Sequence, residues 1–393
     1  MESLITSVQN VSLEIVDGIY QNENTKLITL ATVSAAIVAY MGIVRNMRYK
    51  NLNYIIKTYP DPQQALDDPE IAKEIAAITL KKEFPYLGRQ GAELAFFKTF
   101  TIPSISKLLA ATGEFSKACS RRIEDTQLIL YEMLDTCGRI NKQLEANPIT
   151  PQQDIDDQCK REKEATDRLN TIHGKYTISN DDYIYTAALI VLEPIHWINR
   201  YEWRKLDIRE INALYRVWYD VSITMNIENF PSSPEKLIEF TDSYAKENIK
   251  YSPSNWKCGE NTARLIVTRF FPSFLHKIGY EMALRSLPSV LYPEDVTAFK
   301  LPYKESKLIT WTFNGLLGLR AVLTRYFMLP RSEFVVRTPF YANAQGKYVP
   351  EFFMYKPYIY KDGYNISELG PEKFLKKKEE QQCPFACSEK KEG

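Results

Sequence analysis

Histidine is the scarcest reactive side chain in this sequence: 393 residues contain only His173, His196 and His276. Any site built from many imidazoles, such as the histidine boxes of membrane desaturases, is excluded. An excess of charge is lacking too. Fifty Lys and Arg stand against 49 Asp and Glu, a net +1, so no basic field invites nucleic acid. Six cysteines (Cys119, Cys137, Cys159, Cys258, Cys383, Cys387) are scattered without a CxxC pair. That pattern fits free thiols in a reducing compartment better than a disulfide framework or a zinc site. There is no GxSxG, no P-loop, no GxGxxG opening a helix and no HExxH. Acyl transfer, phosphoryl transfer and dinucleotide chemistry therefore have no motif behind them.

What is present is apolar and aromatic. Hydrophobic residues make up 45% of the chain, and 25 Tyr and 19 Phe raise the aromatic share to 12%. The length suffices to bury a sizeable core. From Leu27 to Val44 no residue is charged; as a helix this stretch covers roughly 27 Å, close to a hydrocarbon core. Its small residues (Ala31, Ser34, Ala35, Ala36, Ala39, Gly42) suit a transmembrane span better than a buried soluble helix. A secretory signal needs a positive leader, whereas Glu2, Glu14, Asp17 and Glu23 precede the stretch with only Lys26 against them. Positive charge follows it instead, in Arg45, Arg48 and Lys50. The expected topology is a lumenal segment 1–26, a span 27–44, and the remainder in the cytosol.

Helical periodicity dominates residues 64–328. It predicts helices over 68–82, 91–111, 118–144, 151–175, 179–204, 207–227, 233–250, 257–286 and 303–328. Asn147-Pro148 with Thr150-Pro151, Ser179-Asn180-Asp181 and Ser232-Ser233-Pro234-Glu235 read as helix starts. The segment 151–168 is heavily charged and reads as largely solvated. No internal repeat occurs. The expected organisation is a helical domain over 45–330 and an extended tail over 331–393, rich in Pro, Tyr and Phe, packed over the helical body. The lysine-rich end after Gly370 reads as disordered.

Glu193-Pro194-Ile195-His196 has the Glu-x-x-His spacing of helical di-iron sites, but no second copy exists, so a helix-packing polar pair is the better reading. His173, near a helix end and sharing a face with Leu169 and Tyr176, sits in a partly apolar setting. That setting suits a neutral imidazole, the form that binds a metal. Taken alone, it reads more readily as a structural histidine.

Four passages together carry a family resemblance. They are Gly91-Ala92-Glu93-Leu94-Ala95-Phe96-Phe97; Arg122-Ile123-Glu124-Asp125-Thr126; Arg168 through Tyr176 with Asn180-Asp181-Asp182-Tyr183-Ile184-Tyr185-Thr186; and Glu193-Pro194-Ile195-His196-Trp197-Ile198-Asn199-Arg200-Tyr201-Glu202-Trp203-Arg204. In this order, over roughly Leu87 to Tyr360, the chain resembles the family of fungal endoplasmic-reticulum-bound MpaB-type oxygenases and bacterial rubber (latex-clearing) oxygenases.

The resemblance implies an all-α, globin-like helical bundle holding haem b, which cleaves a double bond of a long isoprenoid chain with dioxygen. By position, His173 would be the iron ligand. Arg122 and Thr126, four residues apart on one helical face, would stand against the haem. Arg168 joins them among the cofactor-binding positions. Arg122, Thr126 and Asp125 are the candidate catalytic positions. A guanidinium can pair a propionate; the alternative for Arg122 is an i,i+3 pair with Asp125 on a solvated face. The rubber oxygenases carry a lysine beside the Thr, where this chain has Asp125, and an acid cannot imitate an ammonium there. The expected partners are the bilayer and a hydrophobic isoprenoid-like substrate. Two further functions stay open: a catalytically silent lipid- or protein-binding module, and a haem protein without turnover.

Overall fold

The uncharged N-terminal stretch becomes a single long helix, α1 (Glu23–Arg48), continued after a break by α2 (Lys50–Thr58). It belongs to a computed structural model that describes residues 23–356 and 358–375. The N-terminal segment expected in the lumen and the lysine-rich end lie almost wholly outside these residues. Among the described residues, α1 and α2 together form the one helix long and apolar enough to cross a membrane. Its base is tied to the rest of the chain. Arg48, buried, donates from Nε to the Met328 carbonyl at 2.7 Å and from Nη2 to the Leu329 carbonyl at 3.0 Å. Of the three basic residues expected at the membrane surface, Arg48 is thus turned inward, and Arg45 and Lys50 remain exposed.

Next come α3 (Gln64–Asp67), α4 (Pro69–Ala77) and a π-helical turn (Ile78–Glu83). Then follow α5 (Pro85–Thr99), α6 (Pro103–Thr112), α7 (Glu114–Lys117), α8 (Cys119–Leu134) and α9 (Thr136–Ala146). The bundle continues with α10 (Gln152–His173) and α11 (Asn180–Tyr201), and α11 packs against α5 at its centre. Around it lie α12 (Ile208–Thr224), α13 (Pro234–Asn248), α14 (Pro253–Phe270), α15 (His276–Ser286), α16 (Pro293–Phe299) and α17 (Lys307–Tyr326). The fold is all-α, and no strand forms among the described residues beyond one isolated bridge, Tyr348 with Tyr364.

Capping accounts for several starts. The Ser179 hydroxyl accepts from the Asp182 N–H, and the Ser233 hydroxyl from the Lys236 N–H, satisfying donors that a helix start leaves unpaired. Three expected helices are broken. The run 91–111 bends by 90° between α5 and α6, where Pro103 opens a new helix. The run 118–144 breaks at Asp135, and 257–286 at Phe271-Pro272.

The main core lies where α5 crosses α11. Gly91 permits the approach: a Cβ there would sit 2.6 Å from Pro194 Cα, 2.7 Å from Pro194 N and 2.8 Å from the Glu193 carbonyl. Backbone meets backbone at the point where Pro194 has no N–H to satisfy.

The tail does more than cover the bundle. Arg337 and Thr338 are wholly buried, and Tyr364, Ile366 and Leu369 join Leu128, Ile129 and Leu169 in one apolar cluster. Arg337 bonds the Glu124 carboxylate and donates to Gln127 Oε1 at 2.9 Å. The backbone N–H of Arg337 donates to Asp135 Oδ2 at 2.8 Å, and Asp135 also takes the Lys81 ammonium. A second buried acid, Glu132, is held by Arg139, Arg161 and the Tyr364 hydroxyl.

Candidate functional site

A cavity of about 500 Å³ opens between α5, α6, α8, α10, α11, α12 and α14, within the range that holds cofactors and small ligands. Its walls are chiefly apolar: Phe96, Ile105, Leu108, Leu109, Ile123, Leu130, Leu169, Ala187, Ile190, Val221 and Ile266. Arg122, Thr126 and His173 all face it, so the structure brings together three of the residues singled out from the sequence.

Each is placed by local helical structure. Arg122 and Thr126 stand one turn apart on α8. The Thr126 hydroxyl donates back to the Arg122 carbonyl at 2.9 Å, which commits its proton and leaves oxygen lone pairs toward the cavity. His173 is the last residue of α10, where the helix dipole alone would favour a proton. Burial opposes this, and the Arg122 charge adds to it, so the imidazole is pushed down to about 4. The ring is neutral at physiological pH. Its Nδ1 is buried without a hydrogen-bond partner, and Nε2 makes no hydrogen bond among the described residues either. The Tyr183 ring lies beside it, centroids 5.5 Å apart.

Arg122 is a half-buried cation with no counter-ion among the described residues. Among the described residues no carboxylate lies within ion-pair distance of its guanidinium, and burial lowers its affinity for a proton. An uncompensated charge in an apolar wall is costly unless something anionic meets it.

Asp125 and Arg168 do not reach the cavity. Asp125 is buried on the other side of α8, where it accepts from the Tyr360 hydroxyl and lies 4.0 Å from Arg121. It therefore neither pairs with Arg122 on a solvated face nor contributes a distal charge. Burial raises its carboxyl to about 6. Arg168 donates from Nε to the Leu369 carbonyl at 2.7 Å and anchors the tail. Five residues from His173, it points about 140° away around α10. Tyr176 lies beyond the end of α10 and packs edge-on against Phe374.

The other two histidines are elsewhere. His196 is exposed, while Glu193 turns inward to the Lys98 ammonium, so Glu193 and His196 form no pair. His276 contacts the Phe271 carbonyl at 3.0 Å. No cluster of three or more His, Cys, Asp or Glu side chains suited to a metal occurs among the described residues. The four described cysteines Cys119, Cys137, Cys159 and Cys258 are unpaired.

No family model matches the chain. It is similar to the ER-bound oxygenase mpaB' of Penicillium brevicompactum, 26% identical over 320 residues covering 75% of this chain and 69% of the relative. It is also 26% identical over 263 residues to the ER-bound oxygenase mpaB of Penicillium roqueforti, covering 62% and 83%. A second Penicillium brevicompactum protein, also named ER-bound oxygenase mpaB, is 27% identical over 258 residues, 60% of each chain. The chain is thus similar to these ER-bound oxygenases over 60–75% of its length.

In the structure the four passages that carry the resemblance divide by role. Glu93 and Phe96 of the first, Arg122 and Thr126 of the second, and His173, Asp182, Tyr183 and Thr186 of the third line the cavity. The fourth supplies buried ion pairs instead, Glu193 with Lys98 and Arg204 with Glu210. Two acidic wall residues were not marked by sequence reasoning, although both lie in the quoted runs. Glu93 is bound to Arg269 at 2.9 Å. Asp182 accepts from Ser104 at 2.8 Å and from the Tyr244 hydroxyl at 2.7 Å. Both are already satisfied, which leaves Arg122 and His173 as the groups open to a ligand.

Proposed function

We propose that this chain is a membrane-anchored oxygenase whose Arg122–His173 cavity holds haem b and an apolar, isoprenoid-like chain. The observation that carries the reading is the pairing of an unpartnered neutral imidazole with an unpaired guanidinium in one apolar cavity. These residues fit the group: an imidazole free to ligate iron, a cation for a propionate, and walls that exclude water. Bound there, haem would supply the activation of dioxygen. His173 would hold the iron, its low proton affinity keeping the ring in the ligating form. Arg122 would fix the orientation through a charge-assisted pair with a propionate. Thr126 can accept a hydrogen bond from a water or ligand donor, and the apolar walls select a substrate without polar groups. The relatives' names support an oxygenase of the endoplasmic reticulum, and α1 supports membrane attachment.

Purified protein should show a Soret band. His173→Ala should abolish it or leave a readily lost haem, Arg122→Gln should weaken retention while keeping the band, and His196→Ala should leave haem content unchanged. A colourless wild-type protein after haem supplementation would sink the proposal. Oxygen uptake with a polyprenyl substrate separates an oxygenase from a haem carrier. Orientation is tested by two glycosylation sequons, Asn10-Val11-Ser12 and Asn365-Ile366-Ser367. With the bundle cytosolic, glycan on Asn365 is not expected, and finding it would reverse the topology.

A further inference from the structure

α17 presents its apolar side outward. Leu308, Trp311, Leu316, Leu319, Val322 and Leu323 form one stripe at helical spacing, each 43–74% exposed. Thr312 and Gly315 complete the stripe, and no ionisable residue falls on it. The opposite face meets the bundle through polar groups and through Phe313, which packs edge-on against Trp197 and Tyr201. Thr310 bonds the Ser289 hydroxyl at 2.9 Å, Arg320 pairs with Glu202 at 3.0 Å, and Thr324 is buried. A helix lying on a water-soluble surface has the reverse pattern, and a contiguous exposed apolar patch marks an interaction surface.

Its neighbours indicate what covers it. α17 packs beside α1, and the Tyr40 hydroxyl donates to the Phe327 carbonyl at 2.9 Å just past its end. Arg48 holds the next two carbonyls. The exposed apolar surface of α1, from Leu27 to Ile43, therefore runs on to α17. Where α1 crosses the membrane, lipid already lies against the adjoining face.

We infer that α17 rests in the membrane with this stripe among the lipid acyl chains, a second attachment besides the span. The inference rests on reading α1 as a span, and is independent of haem. The stripe has the composition of an in-plane helix, whose apolar face sinks roughly 5–10 Å into the boundary between headgroups and acyl chains. The bundle is then held at a fixed tilt rather than swinging on a single tether.

Trp311 serves as reporter, being the one strongly exposed tryptophan of five. The full chain is reconstituted in phosphatidylcholine vesicles with brominated acyl chains, beside Trp311→Phe. Bromine should quench the wild type, and the variant should lose most of that acyl-dependent component. Equal quenching in the two proteins would overturn the proposal. A photo-crosslinking residue at Leu319 separates the other occupants. Adducts to lipid support the inference, whereas chain-to-chain adducts, or none, overturn it. Leu316→Asp should reduce Trp311 quenching at least twofold with helix content unchanged; undiminished quenching would count against the stripe as the lipid contact.

Discussion

The Arg122 guanidinium and the His173 imidazole face one apolar cavity, where burial, reinforced by the charge of the first, holds the second unprotonated. Neither has a hydrogen-bond or ion-pair partner among the described residues. The arrangement disfavours the empty protein, because burial weakens the charged form of both groups. It favours any ligand that brings an anion to one and accepts coordination from the other.

A pH effect follows in the ligand-free protein. His173 has a folded value of about 4, against an unfolded value near 6.5. Between these values only the unfolded chain takes the proton, so stability falls as pH drops from 7 toward 4. The loss is at most about 3 kcal/mol, less where cavity water solvates the ring. Urea denaturation of wild type and His173→Leu at pH 7 and 4.5 checks this. The wild type should lose more stability on acidification than the variant, and parallel losses would refute the buried neutral ring.

Asp125 behaves in the opposite sense. Its folded carboxyl titrates at about 6, above the unfolded value, so the stability it contributes at low pH is lost as pH rises through 6. Asp125→Asn keeps an acceptor for Tyr360 and removes the buried charge. It should stabilise the protein by about 2 kcal/mol at pH 8 and have almost no effect near pH 4. Thermal melts at both values test it. Since Asp125 points away from the cavity, any Soret band should be unaltered.

Arg337→Ala should cost about 3–5 kcal/mol, because it leaves Glu124 buried without its partner. Chemical denaturation measures the loss. A change below about 1 kcal/mol would mean that the tail is dispensable.

Gly91→Ala sets two effects against each other. Alanine normally gains about 1 kcal/mol over glycine inside a helix, yet here the methyl meets three backbone atoms of α11 at 2.6–2.8 Å. Backbone cannot step aside as a flexible side chain can, so a net loss of about 1–3 kcal/mol is expected. Gly315→Ala, which meets nothing within 4 Å, should be neutral or stabilising in the same melts.

Much of the helical architecture was legible because apolar spacing reports burial directly. The breaks divide into two kinds. Pro103 and Pro272 were local signals that a periodic pattern read past. The break at Asp135 was not local: its carboxylate is held by Lys81 and by the backbone of Arg337 and Thr338, hundreds of positions later in the chain. α16, seven residues long, is too short for periodicity to register. At the cavity, His173, Arg122 and Thr126 shared a family pattern and a common face. Helical angles alone could have separated Arg168 from His173. Nothing in the sequence showed that Asp125 would be taken by Tyr360, since that contact spans 235 positions.

The buried acids of α8 also set an order of events during synthesis. Glu124 is separated from Arg337 by 213 residues, and Glu132 from Tyr364 by 232. At 5–20 residues per second the ribosome needs roughly 10–40 s to cover such a gap. Throughout that interval α1 has already emerged, while α8 carries carboxylates whose partners do not yet exist. The nascent bundle must wait with those carboxylates unpaired. Chains stalled before residue 337 should be cut by protease within α8, where the finished protein is protected.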